Sequence, residues 1–550
     1  MLLDRLNDVL RQAVQTLDSG SVPALRWEVP KDHNFGDLSS PVAFKLAAQQ
    51  RRSPPEVAQR LITLVRQHSE APALRGCVER VEHKGGFVNV WLSHRALLRV
   101  LAQVRREGAR YGHGRFGGGR SVLIEFVSAN PTGPLSVAHG RQAAVGDALA
   151  QILRSQGCRV TTEYYLNDEG RQIELLGRSL LLRCKEQLGQ PEPLPEGGYQ
   201  GLYLIEQAKA CVKHQGARLL EQPPEWFMEE AMTEQSARIK HDLARFGLRF
   251  DRWVSQRALR HSERIDQALG ELARRDLLYE QDGATWFAST RFGDDKDRVV
   301  KKQTGELTYL APDIAYHRWK FQRGYHQVIN LWGPDHHGYI SRVKAAVAAL
   351  GFPAERLIVR IVQLVTLSRQ GKPVPMSKRE GEFVTFREVL DEVGVDATRF
   401  FYLMRTMESH LDFDLDLAAS QSQDNPVYYV QYAHARIWSI LSYARRQVPW
   451  WRRLGPPQRS RLTEPEERLL LRQLVQFPMI TEACARALEP QGLTVYLQRL
   501  AELFHVFYTK HRVVTEDIAR SRARLALVDA TRIVLANGLH LLGVSAPRRM

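Results

Sequence analysis

Two short stretches of this sequence hold residue types suited to handling a phosphate. The first is Ser128-Ala129-Asn130-Pro131-Thr132-Gly133-Pro134-Leu135-Ser136-Val137-Ala138-His139-Gly140. It follows the apolar run SVLIEFV and leads into HGRQAAVGDALAQILRSQG, whose apolar positions recur at helical spacing. Two prolines stiffen the loop, and His139 and Gly140 stand where the helix begins, so that free amides and the positive end of the helix dipole are available to an anion. An imidazole there can donate to a phosphoryl oxygen as charge develops, although spacing alone favours a capping or packing histidine. The second stretch is Pro375-Met376-Ser377-Lys378-Arg379-Glu380-Gly381, after IVQLVTL and the turn Gln370-Gly371-Lys372. On a loop, Lys378 can neutralise a leaving pyrophosphate; seen alone, the segment reads as a surface charge cluster. Asp335-His336-His337 suggests a metal centre, yet no H-E-x-x-H and no third ligand at a recognisable spacing accompany it. No metal site is expected.

The elements around these stretches form a repeating pattern. SVLIEFV, the loop, the helix and then RVTTEYYL make a βαβ unit with a parallel sheet. A mostly helical stretch interrupts the alternation to about residue 280, and the sheet pattern resumes in HQVINLWG and RLIVRIVQLVTL. In such an open sheet, ligands bind beyond the carboxyl ends of the strands. The Gly-rich segment YGHGRFGGGR (111–120) precedes its strand, whereas nucleotide-binding loops follow one, so it reads as a hinge. Before it, helical patterns alternate with β-like runs such as GFVNVWL; after 417, long periodic helices such as NPVYYVQYAHARIWSILSYARRQ take over. The fold class expected is α/β: a doubly wound, Rossmann-like parallel-sheet domain at 113–416 with a connective insertion at about 168–285. A small N-terminal α+β domain at 1–112 and an all-α C-terminal bundle at 417–550 flank it.

A chain of 550 residues is too long for one core and implies several domains. It carries 77 Lys plus Arg against 61 Asp plus Glu, a formal charge of +16, which makes nucleic acid the first partner to test. Residues 417–550 contain 18 Arg and 1 Lys against 10 acidic residues, so this quarter of the chain supplies +9 of that charge. The cysteines, Cys77, Cys158, Cys184, Cys211 and Cys484, show neither C-x-x-C nor zinc-finger spacing and read as isolated buried thiols of a reducing compartment. Without a secretory n- and h-region or a membrane-spanning stretch, the cytoplasm is the expected location.

Taken together, the turn ending in His-Gly and the later Met-Ser-Lys resemble the two signatures of class I aminoacyl-tRNA synthetases. Within that class the chain resembles the arginyl-tRNA synthetase family, through EFVSANPTGPL, YYLNDEGRQIELLGRS, FGDDKDRVV, TYLAPDIAYH, WGPDHHGYISRVKAA, MSKREGEFVTF, DEVGVDATRFFYLMR, LDFDLDLA, DNPVYYVQYAHAR and LANGLHLLGVSAPRRM. HNFGDLSSPVAFKLA is similar to that family's N-terminal domain, which contacts the outer corner of tRNA. The resemblance implies activation of L-arginine by ATP to arginyl-adenylate, followed by transfer to the terminal adenosine of tRNA(Arg), a step order in which the family usually needs tRNA for activation. It implies His139, Lys378 and Ser136 as catalytic residues, and an ATP site made by Pro134, Ala138, His139, Gly140, Met376, Ser377, Lys378, Asp335 and His336. It places Glu125, Asn130, Tyr309 and Asp313 around arginine, where carboxylates and a carbonyl suit a planar guanidinium fork. Which of them grips the guanidinium stays open. Tyr432 and Arg436 are implied as tRNA contacts, Mg2+ enters with ATP, no structural metal is implied, and a monomer is expected.

The chain departs from the family pattern where ATP binds. The first signature, His-x-Gly-His in the family, is Ser136-Val137-Ala138-His139 here. Loss of one such donor typically costs on the order of 10² to 10³ in rate, and Ser136 offers one weaker hydrogen bond instead. Ala138 brings a methyl to the place where Gly lets adenine approach. Pro375 replaces the first Lys of the second signature, and Glu382 stands where Asn is usual, with Lys372 as a replacement cation. The alternatives are therefore a weakened or inactive paralogue that binds tRNA without charging it and, from fold analogy alone, a nucleotidyltransferase, which has no use for a basic helical domain.

Overall fold

The apolar run SVLIEFV supplies the middle strand of the central sheet, Ser121–Glu125, with Val122, Leu123 and Ile124 at 2% exposure or less. In the computed structural model, which describes residues 2–17, 25, 27–30, 32–69, 74–374, 376–377, 382–447 and 459–550, four more strands pair with it in parallel. Their order is Leu357–Ile361, Gln327–Trp332, Ser121–Glu125, Arg159–Leu166, Arg252–Ser255. The strands run outward in chain order on both sides of Ser121–Glu125. The loops after it and after Gln327–Trp332 thus part company and open a crevice between them. This is the doubly wound sheet expected from the sequence.

Helix Val137–Ser155 crosses from the first strand to the second and is buried on nearly every side. Such a helix tolerates charge only where the charge is satisfied. Arg141, fully buried, donates to the carbonyls of Gln363, Ser409 and Thr406 at 3.0, 2.8 and 2.9 Å. Burial lowers its pKa to about 10. Asp147 pairs with buried Arg399 at 2.8 Å, and Arg399 also donates to the carbonyl of Phe246. The helix is thereby pinned to the loops that follow two other segments of the domain.

Several elements differ from expectation. Arg252–Ser255 lies inside the 168–285 span yet is the fifth strand of the sheet. The insertion before it consists of helices Arg171–Gln187, Leu202–Gln215 and Pro224–Arg245, with their own apolar cluster. A second addition, the antiparallel sheet Leu278–Gln281, Ala284–Phe287 and Arg298–Lys301, continues past 285. RLIVRIVQLVTL, read as one run, breaks into Leu357–Ile361 of the central sheet and Val365–Arg369, which pairs with Leu411–Asp414. The segment 111–120 is fastened rather than hinged. The amides of Gly114, Gly117 and Gly119 donate to the carbonyls of Ser155, Gln156 and Gly157 at 3.0, 2.7 and 2.9 Å. A Cβ on Gly114 or Gly117 would meet Gln156 or Cys158 at 2.1 and 2.5 Å. Close approach explains Gly114 and Gly117, whereas Gly119, at φ 77° with open space beside it, takes the left-handed backbone that favours glycine.

Helices Leu2–Leu17, Val42–Gln50 and Pro54–Ser69 and an antiparallel sheet of Leu38–Ser40, Phe87–Leu92 and Val78–Lys84 form the N-terminal unit. Helix His94–Glu107, expected there, packs instead on the C-terminal helices Pro465–Ala487 and Ile518–Leu541. With Pro426–Gln447 and Gln491–Lys510 these make the C-terminal helical bundle. All five cysteines are buried and free, and Cys184 and Cys211 share the apolar cluster of the insertion helices. No described helix is long and apolar enough to cross a membrane.

Candidate active site

A cavity of about 1270 Å3 opens at the carboxyl ends of Ser121–Glu125 and Gln327–Trp332. Eight of the residues expected from the sequence line it: Glu125, Asn130, Pro134, His139, Tyr309, Asp313, Asp335 and His336. The strand end that delivers them is strained. Val127 and Ser128 adopt φ values of 68° and 40°, a left-handed turn that costs non-glycine residues on the order of 1–3 kcal/mol. Local bonds hold it, because the Ser128 hydroxyl donates to Glu125 Oε1 at 3.0 Å and accepts from the Tyr165 amide at 3.1 Å.

One end of the cavity is a buried polar network. Glu125 forms an ion pair with Lys320, which is fully buried and also donates to Asn330 Oδ1 at 3.0 Å. Asn330 Nδ2 bonds His317 Nε2 at 2.9 Å, and His317 Nδ1 lies 2.8 Å from the carbonyl of Asp313. A carbonyl only accepts, so Nδ1 carries the proton and Nε2 accepts from the amide. Burial and the nearby Lys320 ammonium push His317 down to about 3, which keeps it neutral and the chain of donors in one sense. On the neighbouring strand, Glu163 is held by two hydrogen bonds from Arg323 and one from Tyr316 Oη at 2.7 Å. Burial alone would raise its pKa; the Arg323 bonds, the charges of Lys320 and Arg323 and the Tyr316 bond together outweigh that and hold it below the ordinary carboxylate range.

Asp313 differs from both glutamates. It accepts from Tyr339 Oη at 2.8 Å, and among the described residues it pairs with no cation. Burial, with Glu125 adding repulsion, pushes it up to about 7. A guanidinium placed against it would supply the missing charge. Asn130 is tied to Gln172 at 2.6 Å, while Tyr309, 75% exposed, stands at the rim. Sequence reasoning missed Tyr316, His317 and Lys320, although with Asp313 they recur every three or four residues along helix Leu310–Gln322, the spacing of one helical face. It also missed Tyr165, Gln172 and Gln256, which line the same cavity.

The other end holds the first signature. His139 lines the cavity; Ser136, Ala138 and Gly140 do not. Gly140, expected to offer its amide to a phosphate, donates that N–H to the Ser136 carbonyl at 3.1 Å, and a Cβ on it would strike Phe386 at 2.4 Å. It is a packing glycine. Ser136 caps the helix, with its amide 3.2 Å and its hydroxyl 3.1 Å from His139 Nδ1, so its side chain addresses the imidazole instead of the cavity. Ala138 is half-buried. Asp335 and His336, on the short helical turn Pro334–Tyr339, have side chains 78% and 57% exposed, 3.4 Å apart. Met376 and Ser377 form a two-residue strand antiparallel to Glu382 and Phe383. Lys378 lies outside the described residues, as does Pro375. No group of three His, Cys, Asp or Glu placed to hold a metal ion occurs among the described residues.

Comparison with known proteins follows the same division of the chain. Residues 4–92 match the family model described as arginyl tRNA synthetase N terminal domain, 101–408 that of the tRNA synthetases class I (R) catalytic domain, and 430–550 the DALR anticodon binding domain. An arginine–tRNA ligase of Syntrophotalea carbinolica is 46% identical over 541 residues, covering 98% of this chain and 97% of its own. The chain belongs to the arginyl-tRNA synthetase family. Another arginine–tRNA ligase, from Geobacillus kaustophilus, is 45% identical, with 100% of this chain and 99% of the relative covered. The fold of this family member also matches the solved Thermus thermophilus arginyl-tRNA synthetase at a TM-score of 0.79, with both chains covered completely and 24% identity.

In this family member the C-terminal bundle presents a row of rings. Tyr432 lies parallel to Tyr428 at 6.2 Å and to His505 at 5.8 Å. Arg436 donates to Tyr432 Oη at 2.5 Å and stands over the rings of Tyr432 and Tyr508 at 5.3 and 5.4 Å. Both residues are half-buried, which fixes the row while leaving an edge to solvent. Such a platform suits unstacked bases beside a phosphate backbone.

Proposed function

We propose that the cavity between the two central strands activates L-arginine with ATP and passes the arginyl group to the terminal adenosine of tRNA(Arg). The observation that carries this reading is Asp313, a half-buried carboxylate that pairs with no cation among the described residues, beside a Glu125 already fixed by Lys320. Asp313 and Glu125 take the guanidinium, Asn130 the α-amino end, and Tyr309 closes the rim. An arginine carboxylate oxygen attacks the α-phosphorus of ATP and pyrophosphate leaves; a ribose hydroxyl then attacks the acyl carbon and AMP leaves. His139 donates to the phosphates as charge grows, with Pro134, Asp335 and His336 around the nucleotide and Met376, Ser377 and Lys378 toward pyrophosphate. Mg2+ would be carried on the triphosphate, held by phosphate oxygens and water rather than by a protein cage. Tyr432 and Arg436 hold the tRNA at the far end, and the enzyme works as a cytoplasmic monomer.

A tRNA-binding paralogue without activity is not favoured, because the substitutions at 136 and 138 sit beside an otherwise complete cavity and relatives that are ligases match the chain from end to end. The test is charging of tRNA(Arg) with radiolabelled arginine by the purified chain. Charged product is expected, with Lys378→Ala lowering the rate at least 10²-fold, on the order of one lost charge-stabilising donor. No product above that variant would overturn the reading.

A further inference from the structure

Ser136 occupies the place of an imidazole in the family pattern, yet its hydroxyl is not on the cavity wall. Its backbone N–H points at His139 Nδ1 from 3.2 Å and its Oγ lies 3.1 Å from the same nitrogen. A backbone N–H can only donate, so Nδ1 is the acceptor and the ring proton resides on Nε2. The hydroxyl adds a second contact at the same nitrogen, which anchors that edge of the ring. Ser136 is itself held. It forms an antiparallel bridge with Thr385, and the Phe386 amide donates to the Leu135 carbonyl at 2.8 Å. The support under His139 is therefore continuous with the segment that returns from the second signature.

We infer that Ser136 is a positioning residue for arginine activation: its hydroxyl fixes the tilt of His139 so that Nε2–H is presented to the nucleotide phosphates. The substitution of the first signature residue then replaces a second phosphate donor with a brace for the remaining one. The inference rests on the cavity being the activation site and explains how a chain with one imidazole can keep its geometry.

The test is a double-mutant cycle in ATP–pyrophosphate exchange with tRNA(Arg) present, on the full chain. Ser136→Ala should lower kcat about tenfold, roughly 1.4 kcal/mol of transition-state stabilisation, with KM for ATP and arginine within about twofold. Ser136→Thr, which keeps a hydroxyl, should stay within about threefold. Ser136→Gly keeps nearly all of the helix-capping preference but has no hydroxyl, and it should fall as far as Ala; a rate near that of the unaltered chain would reduce Ser136 to a simple cap. In a His139→Gln background, where an amide donor remains but no Nδ1 does, Ser136→Ala should change nothing further. An equal loss in both backgrounds would overturn the inference, since Ser136 would then act on the substrate directly. Absence of exchange by the unaltered chain would instead count against the activation reading itself, before any variant is compared.

Discussion

Asp313 makes the arginine end of the cavity sensitive to pH. Its carboxyl is pushed up to about 7 by burial, and a guanidinium needs it ionised. Below that value binding must expel a proton; above it, none is expelled. The dissociation constant for arginine should therefore fall about tenfold for each pH unit gained toward 7 and level off beyond it. Calorimetric titrations across that range check the slope, and a flat profile would contradict the assignment. Asp313→Asn should remove the pH dependence and weaken binding by about 1.5–3 kcal/mol, the worth of a hydrogen bond to a charged group.

At the scale of elements, the helix Val137–Ser155 carries His139 at one end and is fastened by two buried arginines, its own Arg141, which reaches out to the Gln363 carbonyl, and Arg399 from elsewhere in the chain. Arg399 joins Asp147 of that helix, the carbonyl closing helix Pro224–Arg245, and the carbonyl of Leu542 after the last helix. Arg399→Ala leaves Asp147 buried and unpaired and should cost about 3–5 kcal/mol of stability. Arg399→Lys should lose much of the same, since one ammonium cannot reproduce the planar fork. Denaturant unfolding of the full chain would show this as a lower midpoint; an unchanged midpoint would mean the pair is not a fastening. Periodicity and strand–loop–helix order made the middle strand, its loop and the helix legible from sequence alone. Arg252–Ser255 was not legible, because a four-residue strand with two adjacent apolar residues between polar ends shows no alternation against a helical background. The same holds for the network of Lys320, Asn330 and His317. Each residue is ordinary in its own segment, and only the parallel register that sets Asn330 beside Glu125 brings them together. Gly140 shows the reverse error: the residue type suggested phosphate, while the neighbour that decides its role, Phe386, lies far along the chain.

On the scale of the whole molecule, the basic excess acquires a surface. More than half of the formal charge lies in residues 417–550, the segment that also carries the Tyr432 and Arg436 platform. Arg436→Ala should weaken tRNA binding and reduce the slope of log affinity against log salt by about 1 if it meets a phosphate. Tyr432→Ala should weaken binding by about 1–3 kcal/mol with the slope unchanged, as expected for lost stacking. Binding titrations over a series of salt concentrations separate the two, and identical slopes for both variants would remove Arg436 from the backbone contacts. The bundle is also closed from the front of the chain. Helix His94–Glu107 buries Leu97, Val100, Leu101 and Val104 against it, Arg105 meets Asp529 at 3.3 Å, and Asn537 donates to the carbonyls of Gly108 and Tyr111. Arg105 and Asp529 are 424 residues apart in sequence. At ~5–20 residues per second on the ribosome, the apolar side of that helix must wait roughly twenty to ninety seconds for its partners to be made. During synthesis it is a sticky, unfinished face, and the protein's solubility while it is being born depends on whatever shields those four side chains until the last helix arrives.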